Sequence, residues 1–210
     1  MTTNGGLSDR RPSLASRLVK RALLAFYRFN GWKAVGSPPP DGRYVLIAAP
    51  HTSNWDFVYF LGLANELGIQ PRFIAKDSLF RWPMGRFMHD MGGVPVDRSA
   101  RSDMVKAMVA EFAKGEPFIL TIAPEGTRGR VGQWRTGFYH IARQAGVPMV
   151  VGFMDYATRT GGLGPALMPS GDYRADMQVL AEVYRSVTPR HPERGIADFD
   201  AMIEQSASKS

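Results

Sequence analysis

The sequence predicts an α/β domain whose central sheet, mostly parallel or mixed, lies between layers of helix, with an amphipathic helix added at the N-terminus. Three observations predict it. Short apolar runs fit for buried strands alternate with helical stretches, the pattern of layered α/β folds. The chain has 210 residues, 44% hydrophobic and 21% charged, which suits one globular domain with a sizeable core. Its net charge of +7 is concentrated at one end: residues 1 to 33 hold seven Lys and Arg against Asp9 alone, leaving +1 for the other 177 residues. A nucleic-acid binder usually spreads such charge over a docking face, so no nucleic-acid partner is expected. The absence of cysteine excludes disulfides, thiolate-bound metals and a thiol-borne acyl-enzyme.

Residues 1–12, rich in Thr, Gly, Ser and Arg, are expected to form a flexible tail. Within 13–33, Leu14, Leu18, Ala22, Ala25, Phe29 and Trp32 recur on one helical face, and Arg17, Lys20, Arg21 and Arg28 fall on the opposite arc. The four cations rule out a membrane span, and no uninterrupted apolar core marks a signal peptide. Two arrangements fit this cationic helix. Either its apolar face packs on the domain, or it lies in the interface of an anionic membrane.

After the Gly36–Gly42 breaker, residues 40–210 are expected to form the domain proper. Tyr44–Ala49 reads as a buried strand and Trp55–Leu67 as a helix. Arg72–Ala75 and Val94–Val96 are further strands, with Trp82–Met91 helical or irregular between them. A helix over Ser102–Lys114 leads to a strand over Pro117–Ala123. A helix over Thr136–Ala145 then precedes a strand over Val147–Phe153. The residues from Asp172 onward read as one or two covering helices interrupted at Thr188–Pro192. Gly161-Gly162-Leu163-Gly164 lacks the context of a phosphate loop and is read as a turn.

Open α/β sheets place chemistry at the carboxyl ends of their strands. Polar clusters follow buried strands twice, as Pro50-His51-Thr52-Ser53-Asn54-Trp55-Asp56 and as Pro124-Glu125-Gly126-Thr127-Arg128. The imidazole of His51 suits a general base, and Asp56 is placed to fix its tautomer. The second cluster holds what a phosphate site needs: a glycine for close backbone approach, a hydroxyl and a planar guanidinium.

With these residues in view, the sequence resembles the glycerolipid acyltransferases typified by 1-acylglycerol-3-phosphate acyltransferase. The resemblance rests on His51-Thr-Ser-Asn-Trp-Asp56, Gly93-Val-Pro-Val-Asp97-Arg98, Pro124-Glu-Gly-Thr-Arg128 and Val147-Pro148-Met149-Val150, in matching order, over about residues 40 to 155. It implies transfer of a fatty acyl group from an acyl carrier protein or coenzyme A thioester to the hydroxyl of lysophosphatidic acid or a related lysophospholipid. His51 is then the base and Asp56 its partner. Arg98 and Arg128 hold the acceptor phosphate, with Glu125, Gly126 and Thr127 shaping that pocket and Lys76 as a further donor. A backbone N–H near Gly126 is a candidate for the oxyanion.

A thioester carries its own activation, so no metal or other cofactor is expected; the four histidines show no ligand spacing and no Gly-x-Ser-x-Gly elbow is present. The implied location is peripheral, on the cytoplasmic face of the cell membrane. Two features depart from the family pattern. Val151-Gly152 stands where a second proline often follows the fourth motif, and Lys76-Asp77-Ser78-Leu79 is less basic than the usual run there. A lyso-ornithine-type acceptor remains an alternative within the same chemistry. A non-enzymatic membrane-surface or nucleic-acid-binding protein is the alternative from another class. Phe138, His140 and the Met84, Met88, Met91 stripe are read as packing residues.

Overall fold

The computed structural model describes residues 11–96 and 101–208, so most of the expected tail of residues 1–12 lies outside the described residues, as do Asp97 and Arg98. The strands are β1 (Lys33–Val35), β2 (Arg43–Ala48), β3 (Arg72–Lys76), β4 (Gly93–Val96), β5 (Phe118–Ile122), β6 (Met149–Asp155) and β7 (Thr160–Leu167). They form one mixed sheet in the order β1-β7-β6-β2-β5-β3-β4. Only the β6–β7 pairing is antiparallel. The helices are α1 (Leu14–Phe29), α2 (Trp55–Glu66), α3 (Gly85–Asp90), α4 (Arg101–Phe112), α5 (Gly137–Ala145), α6 (Tyr173–Arg185) and α7 (Phe199–Ala207).

The central strand β2 shows why the sheet has two covered faces. Its side chains alternate: Tyr44 and Leu46 join Ile119, Val150 and Leu163 beneath Phe60 and Leu67 of the α2 segment. Val45 and Ile47 join Leu120, Met149 and Val151 on the other side. There α4, α5, α6 and α7 contribute Phe112, Phe138, Leu180 and Ile203. A strand buried on both faces reads as one continuous apolar run, which is why Tyr44–Ala49 was visible as a strand. The C-terminal helices form a covering layer, and the Tyr184 hydroxyl of α6 donates to the Ile47 carbonyl at 2.8 Å.

Two strands escaped the sequence reading. The Gly161–Gly164 segment is not a turn but the middle of β7, paired with β1 on one side and β6 on the other. Its glycines are required by close approach. A Cβ at Gly161 would stand 2.7 Å from the Leu63 side chain, and one at Gly162 would stand 2.1 Å from the Val35 carbonyl oxygen. A strand built on such glycines carries no alternation to read.

The second surprise is the face by which α1 docks. Its packed sector consists of the buried Ser16 and Tyr27 with the half-buried Leu23 and Leu24, not the broad apolar arc. Ser13 caps the helix by accepting from the Ser16 N–H at 3.1 Å and donates its own N–H to Asp90 at 3.0 Å. The Tyr27 ring lies flat against the backbone of Gly62, and its hydroxyl donates to Glu66 at 2.7 Å. Leu14, Leu18 and Phe29 on the apolar arc are 70%, 64% and 90% exposed, so that face of the helix does not pack on the domain, whereas Trp32, expected on the same face, lies beyond the helix's end at Phe29 and is buried against Tyr59.

The Tyr27–Gly62 contact generates a test. An alanine Cβ at Gly62 would stand 2.2 Å from the Tyr27 ring. Gly62→Ala is expected to cost about 1–3 kcal/mol in denaturant unfolding, as overpacking does. In a Tyr27→Ala background the same change should cost little, the sign of a direct clash.

Candidate active site

Adjacent strands deliver the two polar clusters. β2 and β5 pair in register from Arg43 with Phe118 to Ile47 with Ile122, so the loops that follow them leave the sheet side by side. The connection leaving β2 runs toward β3 and β4, and the one leaving β5 runs back across β2 to β6. That reversal opens a crevice at the carboxyl ends of the strands.

His51 and Asp56 meet there, with Nδ1 3.0 Å from Asp56 Oδ2. The carboxylate also accepts the backbone N–H groups of Thr52 and Ser53, both at 2.9 Å, and the hydroxyl of Tyr156 at 2.6 Å. Burial pushes the Asp56 carboxyl up, but the hydrogen bonds from His51, Tyr156 and Ser53 outweigh it and hold the group below its ordinary value. A charged carboxylate can only accept, so the Nδ1 proton points at Asp56 and Nε2 is left as the basic nitrogen. The ring is part-exposed while its partner is buried. The arrangement is competent to take a proton from a hydroxyl and to stabilise the resulting imidazolium.

The second cluster reaches back to the first. Glu125 Oε1 accepts the His51 backbone N–H at 3.0 Å. Its Oε2 is buried and finds no partner among the described residues. Burial raises this carboxyl to about 7. Gly126 adopts φ +66°, and a Cβ there would meet the Arg135 side chain at 2.7 Å. Its own N–H donates to the Ala123 carbonyl at 3.1 Å, which commits that donor to the turn and removes it as an oxyanion ligand in this conformation. The Thr127 hydroxyl accepts the Gly129 N–H at 3.3 Å. Arg128 lines a cleft of about 330 Å³ with Thr52, Ser53, Asn54, Trp55, Arg190, His191 and Arg194.

His51 and Asp56 thus stand on one loop and Glu125, Gly126, Thr127 and Arg128 on its neighbour, joined by the His51–Glu125 bond, and of these six Arg128 is the one that lines the cleft. Lys76 is exposed at the carboxyl end of β3, the next strand beyond β5, and does not line the cleft. Arg98 lies outside the described residues. Phe138 is fully buried and the His140 ring meets the Thr136 hydroxyl at 3.3 Å, both packing roles. Met88 is buried as a core residue, whereas Met84 is exposed. Among the described residues no three His, Asp or Glu side chains gather as a metal site would require.

Sequence reasoning missed Tyr156, Arg190, His191 and Arg194. Tyr156 immediately follows β6, so inspecting the end of a third buried strand would have found it. The other three lie between the last two helices in a stretch with no strand or helix period to place it.

This fold, with its histidine–carboxylate pair and neighbouring Pro-Glu-Gly-Thr-Arg loop, is that of an acyltransferase. Residues 35–152, more than half of the chain, match the acyltransferase family, and the chain belongs to it. A chloroplastic 1-acyl-sn-glycerol-3-phosphate acyltransferase of Brassica napus is 30% identical over 136 residues, which make up 61% of this chain and 38% of that protein. The chain therefore aligns with well under half of that relative's length. The crystal structure of the 1-acyl-sn-glycerophosphate acyltransferase PlsC from Thermotoga maritima shares the fold, with a TM-score of 0.55 over 82% of this chain and 80% of that one at 20% identity.

The raised Glu125 carboxyl has a measurable consequence. In the unfolded chain it releases its proton near 4.5, in the folded protein only near 7. Between those values the folded state binds more protons, so stability is greatest below the lower one and falls as pH rises through the higher. Glu125→Gln is expected to remove this slope, worth up to about 3 kcal/mol, whatever constant offset the amide adds. Tm profiles of both proteins from pH 4 to 8 check it.

Proposed function

We propose that this protein transfers a fatty acyl group from an acyl carrier protein or coenzyme A thioester to the hydroxyl of lysophosphatidic acid or a closely related lysolipid. The observation that carries this reading is the 3.0 Å His51–Asp56 pair beside a cleft lined by arginines. His51 Nε2 takes the acceptor's hydroxyl proton as the oxygen attacks the thioester carbonyl. The tetrahedral intermediate then expels the thiolate, the C–S bond breaks, and the proton passes from the imidazolium to the leaving sulfur. Asp56 compensates the charge on the ring throughout. Arg128, joined by Arg98, neutralises the acceptor phosphate, and the part-exposed His51 leaves the alcohol a path in. The cationic cleft favours an acceptor bearing phosphate over a lyso-ornithine-type lipid.

The reading extends to the cytoplasmic face of a membrane. None of the described helices is long and apolar enough to cross a bilayer. On α1, at 100° per residue, Arg17, Arg21 and Arg28 do not lie opposite the exposed arc of Leu14, Leu18 and Phe29, as the sequence reading had it, but border it, and the docked Ser16 and Tyr27 take the far side. Such a helix, fixed to the domain by its third sector, presents an apolar and a cationic strip to an anionic interface. Trp82, 93% exposed just before α3, is a further exposed aromatic side chain, and α3 itself touches α1.

Two measurements test the reading. His51→Ala should abolish thioester-dependent acylation of lysophosphatidate, lowering turnover by at least a hundredfold with circular dichroism and Tm preserved. Retained turnover in that folded variant removes His51 as the base. Leu18→Glu/Phe29→Glu should abolish sedimentation with vesicles containing phosphatidylglycerol while turnover on detergent-dispersed acceptor survives.

A further inference from the structure

The segment from Thr188 to Arg194 runs along the cleft as a strap, with Arg190, His191 and Arg194 in its lining. It is fastened by its backbone. The Thr188 carbonyl accepts the Tyr156 N–H at 2.9 Å, and the Thr188 N–H donates to Asp155 at 3.3 Å. The His191 N–H donates to the buried Thr52 hydroxyl at 3.2 Å. These bonds hold the strap against both loops that carry Asp56 and its Tyr156 donor.

Its side chains face the cleft. The Arg190 guanidinium lies over the rings of Trp55 at 5.6 Å and Tyr156 at 5.8 Å, a stacked position that orients it while leaving its N–H groups unspent. Arg190, Arg194 and His191 share the cleft with Arg128. The carboxylate of Glu193 stands 3.6 Å from Arg194 and 3.4 Å from the His191 ring. Among the described residues no carboxylate reaches ion-pair distance of Arg128 or Arg190. Three guanidinium groups around one small cleft, with a single carboxylate at its edge, form a site for a compact, multiply charged anion. The wall of that cleft is continuous with α1, because Phe26 stacks on Trp55 at 5.1 Å.

We propose that Arg190 and Arg194 complete, with Arg128, a subsite for the phosphomonoester of the lipid acceptor. This rests on the acyltransferase reading above and adds to it a source of acceptor selectivity outside the family's motifs. The subsite has more cations than a phosphodiester monoanion requires, so it favours a terminal phosphate over a headgroup esterified to choline or ethanolamine.

Binding tests the subsite without turnover. Calorimetric titration of the full chain with n-dodecyl phosphate, below its micelle concentration, is expected to show affinity that falls about tenfold or more in Arg190→Gln/Arg194→Gln. Dodecylphosphocholine should bind more weakly and be unaffected by the change. Arg174→Gln, which alters an exposed arginine paired with Glu204 on α7, should leave both titrations as they were. In steady-state assays the double variant should raise the KM for lysophosphatidate about tenfold or more with the KM for the thioester unchanged. Unchanged affinity for dodecyl phosphate overturns the subsite, and so does a rise confined to the thioester KM, which would give the strap to the donor's phosphates. If the unaltered protein consumes no thioester with any lysolipid, the acyltransferase reading fails while the dodecyl phosphate titration still decides the subsite.

Discussion

A buried negative charge governs the catalytic end of this molecule. The Asp56 side chain is 2% exposed, and an ion so placed is tolerated only where donors replace the water it has lost. Four do so: the His51 ring, two successive backbone N–H groups and the Tyr156 hydroxyl. Satisfying the charge therefore fixes the loop after β2, the start of α2 and the residue after β6 in one arrangement. Nearby, Glu125 spends one oxygen on the His51 backbone and is driven toward neutrality by its surroundings. Two carboxyls within one crevice are pushed in opposite directions, one kept ionised as a partner for the ring and the other kept near its protonated form as a brace.

The sheet order makes that convergence possible. Strands β6, β2 and β5 are consecutive neighbours, and all three run parallel, so their carboxyl ends form one rim. The ladder hydrogen bonds beneath are buried between two apolar layers, so the rim sits on the most rigid part of the fold. The other parts of the chain reach this rim from outside, α1 through Phe26 on Trp55 and the segment after α6 through Thr188 and His191.

How much of this was legible in the sequence depended on range. The strands β2, β5 and β6 were visible because burial on both faces leaves an uninterrupted apolar run, and the helix between Trp55 and Glu66 followed from its length and setting. His51 and Asp56 were visible because only four residues stand between them and a strand end precedes them. Tyr156 lies 100 residues from Asp56, and His191 lies 139 from Thr52, separations at which no local period operates. β1 is three residues long, and β7 depends on glycines whose value is what they leave out. The helix α1 was legible as a helix, but not the way it docks. Moment reasoning assumes that the richest apolar face turns inward, whereas Tyr27, Gly62 and two serines supply a narrower and more specific fit.

The fastening of the Thr188–Arg194 segment has a consequence for how such a protein diversifies. All three of its bonds use main-chain groups on the segment's side: the carbonyl and N–H of Thr188 and the N–H of His191. The side chains at 190, 191 and 194 thus take no part in the hydrogen bonds that fasten the segment. If the proposed subsite holds the acceptor's phosphate, exchange of these three residues redirects which polar head is welcomed while the histidine–carboxylate pair is inherited intact, so taste and chemistry are written in separable parts of the chain.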